Sequence, residues 1–184
     1  MGDDVLLTVE ECVLVVIDIQ EKLARAMHEK EKFTDNLLRL LQGIKILEIP
    51  VIFTEQYPQG LGPTISEVLE LLPGEKPIIK KAFSCWRVPE FTIRLQSCGR
   101  KQVLLTGIES HVCVYQTAID LLNAGFGVHA VTDCISSRTA PNRDLGLQRM
   151  RDAGARLTSV EMVLFELLKA AEGEKFKAIS RIVK

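Results

Sequence analysis

The chain has 184 residues, 47% of them hydrophobic, and carries 23 Lys and Arg against 24 Asp and Glu for a formal net charge of -1. This length accommodates one domain with a sizeable core, and the apolar content excludes an intrinsically disordered chain. Balanced charge gives no strong nucleic-acid signal, and no run reaches the roughly 20 apolar residues that cross a bilayer.

The opening MGDDVLLTVEEC is acidic and lacks a cationic region ahead of its apolar residues. No secretory signal is evident, and a cytoplasmic or organellar matrix location is expected. The cysteines, Cys12, Cys85, Cys98, Cys113 and Cys134, are odd in number and form no CxxC pair. That pattern argues against a disulfide scaffold and a thiolate zinc site. Residues 12–17 read CVLVVI, a strand apolar on both faces, as helices covering both sides of a parallel sheet require. Asp18 stands at its end. Residues 31–48 place Phe33, Leu37, Leu40, Leu41, Ile44 and Leu47 at helical spacing, with Gly43 as the weak point. Pro50 then opens a second strand running through Thr54, and a polar loop with Tyr57, Gly60 and Gly62 leads to a helical stretch over 64–72. Pro77 begins a third strand reaching Ile79, which Lys80 and Lys81 close.

The alternation continues with a helix over 89–98, a strand over 101–107 and an apolar helix over 112–124. Gly125 and Gly127 bracket the turn into a fifth strand, VHAV, ending at Thr132 and Asp133. A helix over 141–152, a weaker sixth strand in ARLTS, a helix over 160–170 and a short helix from 174 complete the pattern. It predicts an α/β, three-layer, doubly wound sandwich on a six-stranded, mainly parallel sheet. The expected unit is a single domain over 1–184, with its core at about 10–170.

Open parallel sheets form crevices beyond the carboxyl ends of their strands. Asp18, residues 54–57, Lys80, residues 107–113 and Asp133 are expected at those ends. In GIESHVCV a strand enters a glycine, then a polar stretch, and Cys113 lands near the first turn of an apolar helix. Exposed N–H groups and the helix dipole there stabilise a thiolate and receive an oxyanion, although a lone cysteine in such a helix is more often a buried small hydrophobe. Cys12 begins a strand and Cys98 ends a helix, so neither combines these features. His111, two residues from Cys113, is poorly spaced for a dyad. The Asp18 carboxylate is better placed to take the thiol proton, with Lys80 holding it ionised; the alternative is a structural ion pair at the sheet edge.

Asp18 after VVID, Lys80 in KKAFS and Cys113 in GIESHVCV resemble, in chain order, the aspartate, lysine and cysteine triad of the isochorismatase-like cysteine hydrolases. The likeness spans roughly residues 10–170. It is nearest to the isochorismatase domain-containing proteins of undefined substrate. The resemblance implies a small-molecule amide or related carbonyl substrate, attack by Cys113 to form a thioester, and release of the acid by water. Asp18 would serve as base and then acid, and Lys80 would support it electrostatically. The backbone N–H groups of Glu109 and Cys113 carry over as an oxyanion hole, with a non-proline cis peptide between Ile108 and Glu109. Ser84, Cys85 and Trp86 match the family frame that selects Lys80 over Lys81, and strand alternation turns Lys81 away.

Gln20 of IDIQ, Tyr57 and Trp86 are candidates for the substrate pocket, with an apolar anchor or a subunit contact as the alternative for Trp86. Nicotinamidases of this superfamily place an aspartate and histidines after the second strand, whereas TEQYPQGLGPT has no histidine. No metal or other cofactor is therefore implied. Relatives often associate, so a homo-oligomer is expected. A binding or scaffold protein on an inherited pocket is the alternative function, and a nuclease is a more remote one.

Overall fold

A computed structural model describes residues 6–184. Residues 1–5, which carry part of the leader reading and the first positions of the expected domain, lie outside the described residues. The elements in chain order are β1 (Cys12–Ile17), α1 (Glu21–Ala24), α2 (Lys30–Ile46), β2 (Val51–Gln56), α3 (Pro58–Leu61), α4 (Ser66–Leu71) and β3 (Ile78–Lys80). They continue with α5 (Pro89–Ser97), β4 (Gln102–Ile108), α6 (Tyr115–Asn123), β5 (Gly127–Ser136), α7 (Ala140–Asp152), β6 (Arg156–Thr158), α8 (Val160–Leu168) and α9 (Gly173–Ile182). The six strands form one sheet in the order β3-β2-β1-β4-β5-β6, and every neighbouring pair is parallel. The order reverses direction between β1 and β4, which is where a crevice opens in this fold class.

The continuous apolar run of β1 has a direct cause. Leu14 and Val16 face a core built with α2, α4, α8 and α9, while Val13, Val15 and Ile17 face a second core built with α5, α6 and α7. Phe33, Leu37, Leu40, Leu41 and Ile44 of α2 are buried on the first side. Gly43 strengthens this packing, since a Cβ there would lie 2.4 Å from Leu164 Cδ2, where α8 crosses α2.

Three departures from the sequence pattern bear on the site. First, β5 runs on to Ser136, because its ladder with β4 jumps from Leu105–Ala130 to Gly107–Ile135 across a bulge. Asp133 sits in that bulge rather than at the strand end, and its carboxylate accepts the Val160 N–H at 3.0 Å to cap α8. Second, the helix after β4 opens with a π-helical turn, Ser110–Val114, before α6. Third, α1, α3 and a 3-10 turn at Cys85–Arg87 occupy the loops; each is too short for a periodic apolar signal. Among the described residues no helix is long and apolar enough to cross a membrane.

Candidate active site

The site forms where the carboxyl ends of β1, β2, β3 and β4 meet. Gly107 sets how closely two of these ends approach. Its φ is 121°, and a Cβ would fall 2.2 Å from the Ile17 carbonyl oxygen, so β1 and β4 press together beside Asp18. Asp18 itself takes a left-handed backbone (φ 55°), which a short polar side chain tolerates, and the chain turns there out of β1.

The Asp18 and Lys80 side chains are fully buried, with Lys80 Nζ 2.6 Å from Asp18 Oδ2. Thr54, one strand over, donates its hydroxyl to Asp18 Oδ1 at 2.8 Å. The Lys80 ammonium also donates to Gln56 Oε1 at 2.7 Å and to the carbonyls of Phe83 and Ala82 at 3.1 and 3.3 Å. Lys81 is exposed, as strand alternation requires. Cys113 lies in the π turn, 7% exposed, and its thiol is close enough to feel the charges of both Asp18 and Lys80. The structure therefore brings Asp18, Lys80 and Cys113 into one buried cluster.

Their electrostatics follow from burial. Desolvation raises the Asp18 carboxyl above its ordinary range, against the opposing pull of the Lys80 charge and the hydrogen bonds from Lys80 and Thr54. Burial pushes the Cys113 thiol up to about 12, and the neighbouring Asp18 charge adds to the effect while Lys80 opposes it. Burial is the largest single influence on Lys80 and lowers it, but the Asp18 charge and hydrogen bond together with the nearby Cys85 and Cys113 thiols outweigh it, and the net shift is upward. The resting cluster thus holds a neutral thiol beside the Asp18–Lys80 pair. A raised carboxylate is also a closer match in basicity to the thiol whose proton it would take.

The Ile108–Glu109 peptide is cis. Glu109 Oε2 accepts from Arg138 N and Nε at 3.1 and 3.0 Å, while its carbonyl accepts the N–H groups of Val112 and Val114 in the turn. His111 points its Nδ1 to Ser137 Oγ at 3.0 Å, so its ring belongs to the β5–α7 loop rather than to a dyad with Cys113. Gln20 is buried with its carboxamide committed to the chain. Its Oε1 accepts Gln56 N at 2.7 Å, and its Nε2 donates to the Gln56 and Gly62 carbonyls at 3.0 and 2.7 Å. The amide braces the loop after β2. Tyr57 is half-exposed with its ring over Gly60. Trp86 packs edge-on against Phe126, with ring centroids 5.6 Å apart.

Several supporting residues escape a reading of periodicity. Thr117 Oγ1 accepts Cys85 N at 3.0 Å and donates to the Cys113 carbonyl at 2.7 Å, tying the two loops together. Gly146, inside α7, admits Ser110, whose Oγ would lie 2.4 Å from a Cβ there. A glycine within a helical run is the sequence signal for that contact. Glu55 is buried and accepts from Thr64 N and Oγ1 at 2.7 and 2.8 Å. Among the described residues no group of three or more His, Cys, Asp or Glu side chains is placed to hold a metal ion.

Residues 12–162 match the isochorismatase domain model. A secreted isochorismatase effector, Isc1, of Phytophthora sojae is 41% identical over 94% of this chain and 84% of its own. Isochorismatase domain-containing protein 2 of Xenopus laevis is 41% identical over 93% and 82%. Among solved structures, the MAR1 ribonuclease of Caenorhabditis elegans is 37% identical with a TM-score of 0.90, covering 97% of this chain and 92% of that one. YcaC of Pseudomonas aeruginosa, solved with hexane-2,5-diol and covalent acrylamide, is 26% identical with a TM-score of 0.92 over 97% and 92%. YcaC of Escherichia coli, described as an octameric hydrolase of unknown specificity, is 25% identical with a TM-score of 0.93 over 99% and 91%. With that match spanning most of its length and a buried cysteine among polar groups at the strand ends, the chain belongs to the isochorismatase domain family.

Proposed function

We propose that this protein is a metal-independent cysteine hydrolase of a small amide or related carbonyl compound, with residues 1–184 forming one such domain. The observation that carries this reading is the buried Asp18–Lys80 ion pair, with the buried Cys113 thiol within reach of both charges. Cys113 Sγ attacks the carbonyl carbon as its proton passes to Asp18. The oxyanion is received by the N–H groups of Glu109 and Cys113 at the turn after β4. Collapse breaks the C–N bond, and Asp18 returns the proton to the leaving amine, leaving a thioester. Water, losing a proton to Asp18, then attacks the thioester; the acid leaves and the thiol is restored. Lys80 stays cationic throughout and balances the single negative charge that moves between Asp18 and the oxyanion in the buried cluster.

The covalent acrylamide in the Pseudomonas relative supports an electrophile-accepting site of this type. A screen of small amides with intact-mass detection is expected to trap an acyl adduct on Cys113 that Cys113→Ala abolishes. An adduct on Cys12, Cys85, Cys98 or Cys134 during turnover, with Cys113→Ala still active, would refute the mechanism.

A second reading, RNA cleavage, is favoured by one observation, the 37% identity to a nematode protein described as a ribonuclease. The net charge of -1 supplies no general phosphate-binding surface. Cleavage of single-stranded RNA by the purified protein that survives Cys113→Ala would favour this reading over the amide one. We also propose a closed homo-oligomer, supported by the octameric Escherichia coli relative and by the exposed Met162 and Phe165 on α8; light scattering would read its mass. The remainder of the MVLFELL run is internal, because Val163, Leu164 and Leu167 are buried against the core.

A further inference from the structure

We infer that Gln56 is a positioning residue for the reaction, holding the Lys80 ammonium in register with Asp18; the inference rests on the hydrolase reading above. Gln56 ends β2, one parallel ladder position from Lys80, with which it is paired in the sheet. Its backbone is clamped on both sides by the buried Gln20 carboxamide, which takes the Gln56 N–H at 2.7 Å and donates to its carbonyl at 3.0 Å. Its side-chain amide has one allowed orientation. Nε2 donates to the Lys81 carbonyl at 2.9 Å, which turns Oε1 toward Lys80 Nζ at 2.7 Å.

The ammonium has three protons and four oxygen neighbours: Asp18 Oδ2, Gln56 Oε1 and the carbonyls of Phe83 and Ala82. Three of these are neutral and fixed by the backbone or by Gln56. Among the described residues the only charged neighbour is Asp18, so the cationic field is directed to the base. The titratable groups facing Lys80 are Asp18 from β1, Cys113 from the π turn and Cys85 from the 3-10 turn. Facing Asp18 are Lys80, the Thr54 hydroxyl and the Cys113 thiol. A neutral acceptor at position 56 therefore matters chemically: a carboxylate there would compete with Asp18 for the same ammonium, and an apolar side chain would leave the ammonium less firmly held.

Acrylamide serves as the probe. Cys113 Sγ bonds to its β-carbon, the thiol proton passes to Asp18, and the α-carbon takes up a proton. The rate of addition at Cys113, mapped by peptide mass, is followed from pH 3.5 to 8 in the full chain. In the parent protein the rate falls on the acid side as Asp18 protonates, and Asp18→Asn identifies that limb by abolishing it. Gln56→Glu is expected to move the limb up by about one pH unit, since a second anion weakens the ammonium's hold on Asp18. Gln56→Met, which keeps the length and removes the acceptor, is expected to move it the same way by less and to lower the plateau rate about tenfold. If the limb is present and assigned to Asp18 but stays in place in whichever of the two variants fold, Gln56 is a structural strap only and the inference falls. If acrylamide adds elsewhere than Cys113, or Asp18→Asn leaves the profile unchanged, the hydrolase reading itself fails and takes the inference with it.

Discussion

At the scale of single residues, the site divides into groups that chemistry announces and groups that only the fold assembles. Asp18, Lys80 and Cys113 are legible because each follows an apolar strand, and a doubly wound sheet gathers such positions at one edge. Thr54 and Gln56 are legible only as part of the 54–57 strand end, without a role, and Thr117 leaves no trace, since a hydrogen bond across two elements produces no period in sequence. Gln20 and Trp86 are prominent in their motifs, yet one braces a loop and the other packs against Phe126. The buried pair makes a stability prediction. Lys80→Met leaves the Asp18 carboxylate without its cation in an apolar setting and is expected to cost about 3–5 kcal/mol. Adding Asp18→Asn removes the stranded charge and should return most of that loss while activity stays absent. Urea unfolding of the two single variants and the double variant measures this; additive losses would mean that the two groups are not energetically coupled.

Elements were legible in proportion to their length and to the evenness of their surroundings. β1 matches its predicted bounds, 12–17, because both of its faces are covered and the apolar run ends where cover ends. β5 extends beyond its expected end because the bulge exposes Thr132 and Asp133 in mid-strand, and two half-exposed polar residues look like a terminus. The π turn at Ser110–Val114 was likewise folded into one apolar helix, since the burial of Val114 and Ala118 continues through the junction. Two strands approach closely at Gly107. Gly107→Ala would combine a left-handed backbone with a Cβ driven into the Ile17 carbonyl, an atom that cannot rotate away. A loss of about 3 kcal/mol or more is expected, with β1 and β4 parting beside Asp18. Gly125→Ala provides the contrast, because its φ is also positive but nothing lies within 4 Å of its Cβ position. Equal unfolding midpoints for the two variants would show that steric approach at Gly107 is not limiting.

For the whole molecule, the parallel sheet and its two cores follow from alternation of strand and helix, but the pH response of the fold depends on which polar groups the cores enclose. His129 lies in β5 paired across the ladder with Arg156, and it is buried. Burial first, and the Arg156 charge second, pull its imidazole from 6.5 down to about 4. The folded chain therefore keeps His129 neutral through a range where the unfolded chain protonates it. Unfolding takes up a proton in that window, so this contribution to stability is complete above about pH 6.5 and declines as pH falls toward 4. Between pH 7 and pH 5 the expected loss is roughly 2 kcal/mol. Asp18 acts with the opposite sign. Its raised folded value means that the folded state binds the proton more readily, so protonation below that value favours folding. Comparing His129→Gln with the parent removes the Asp18 contribution, which both share. The variant is expected to lose less stability than the parent between pH 7 and pH 5, by that same amount, in urea titrations followed by circular dichroism. Identical pH dependence in the two proteins would show that His129 does not govern the acid sensitivity of the fold.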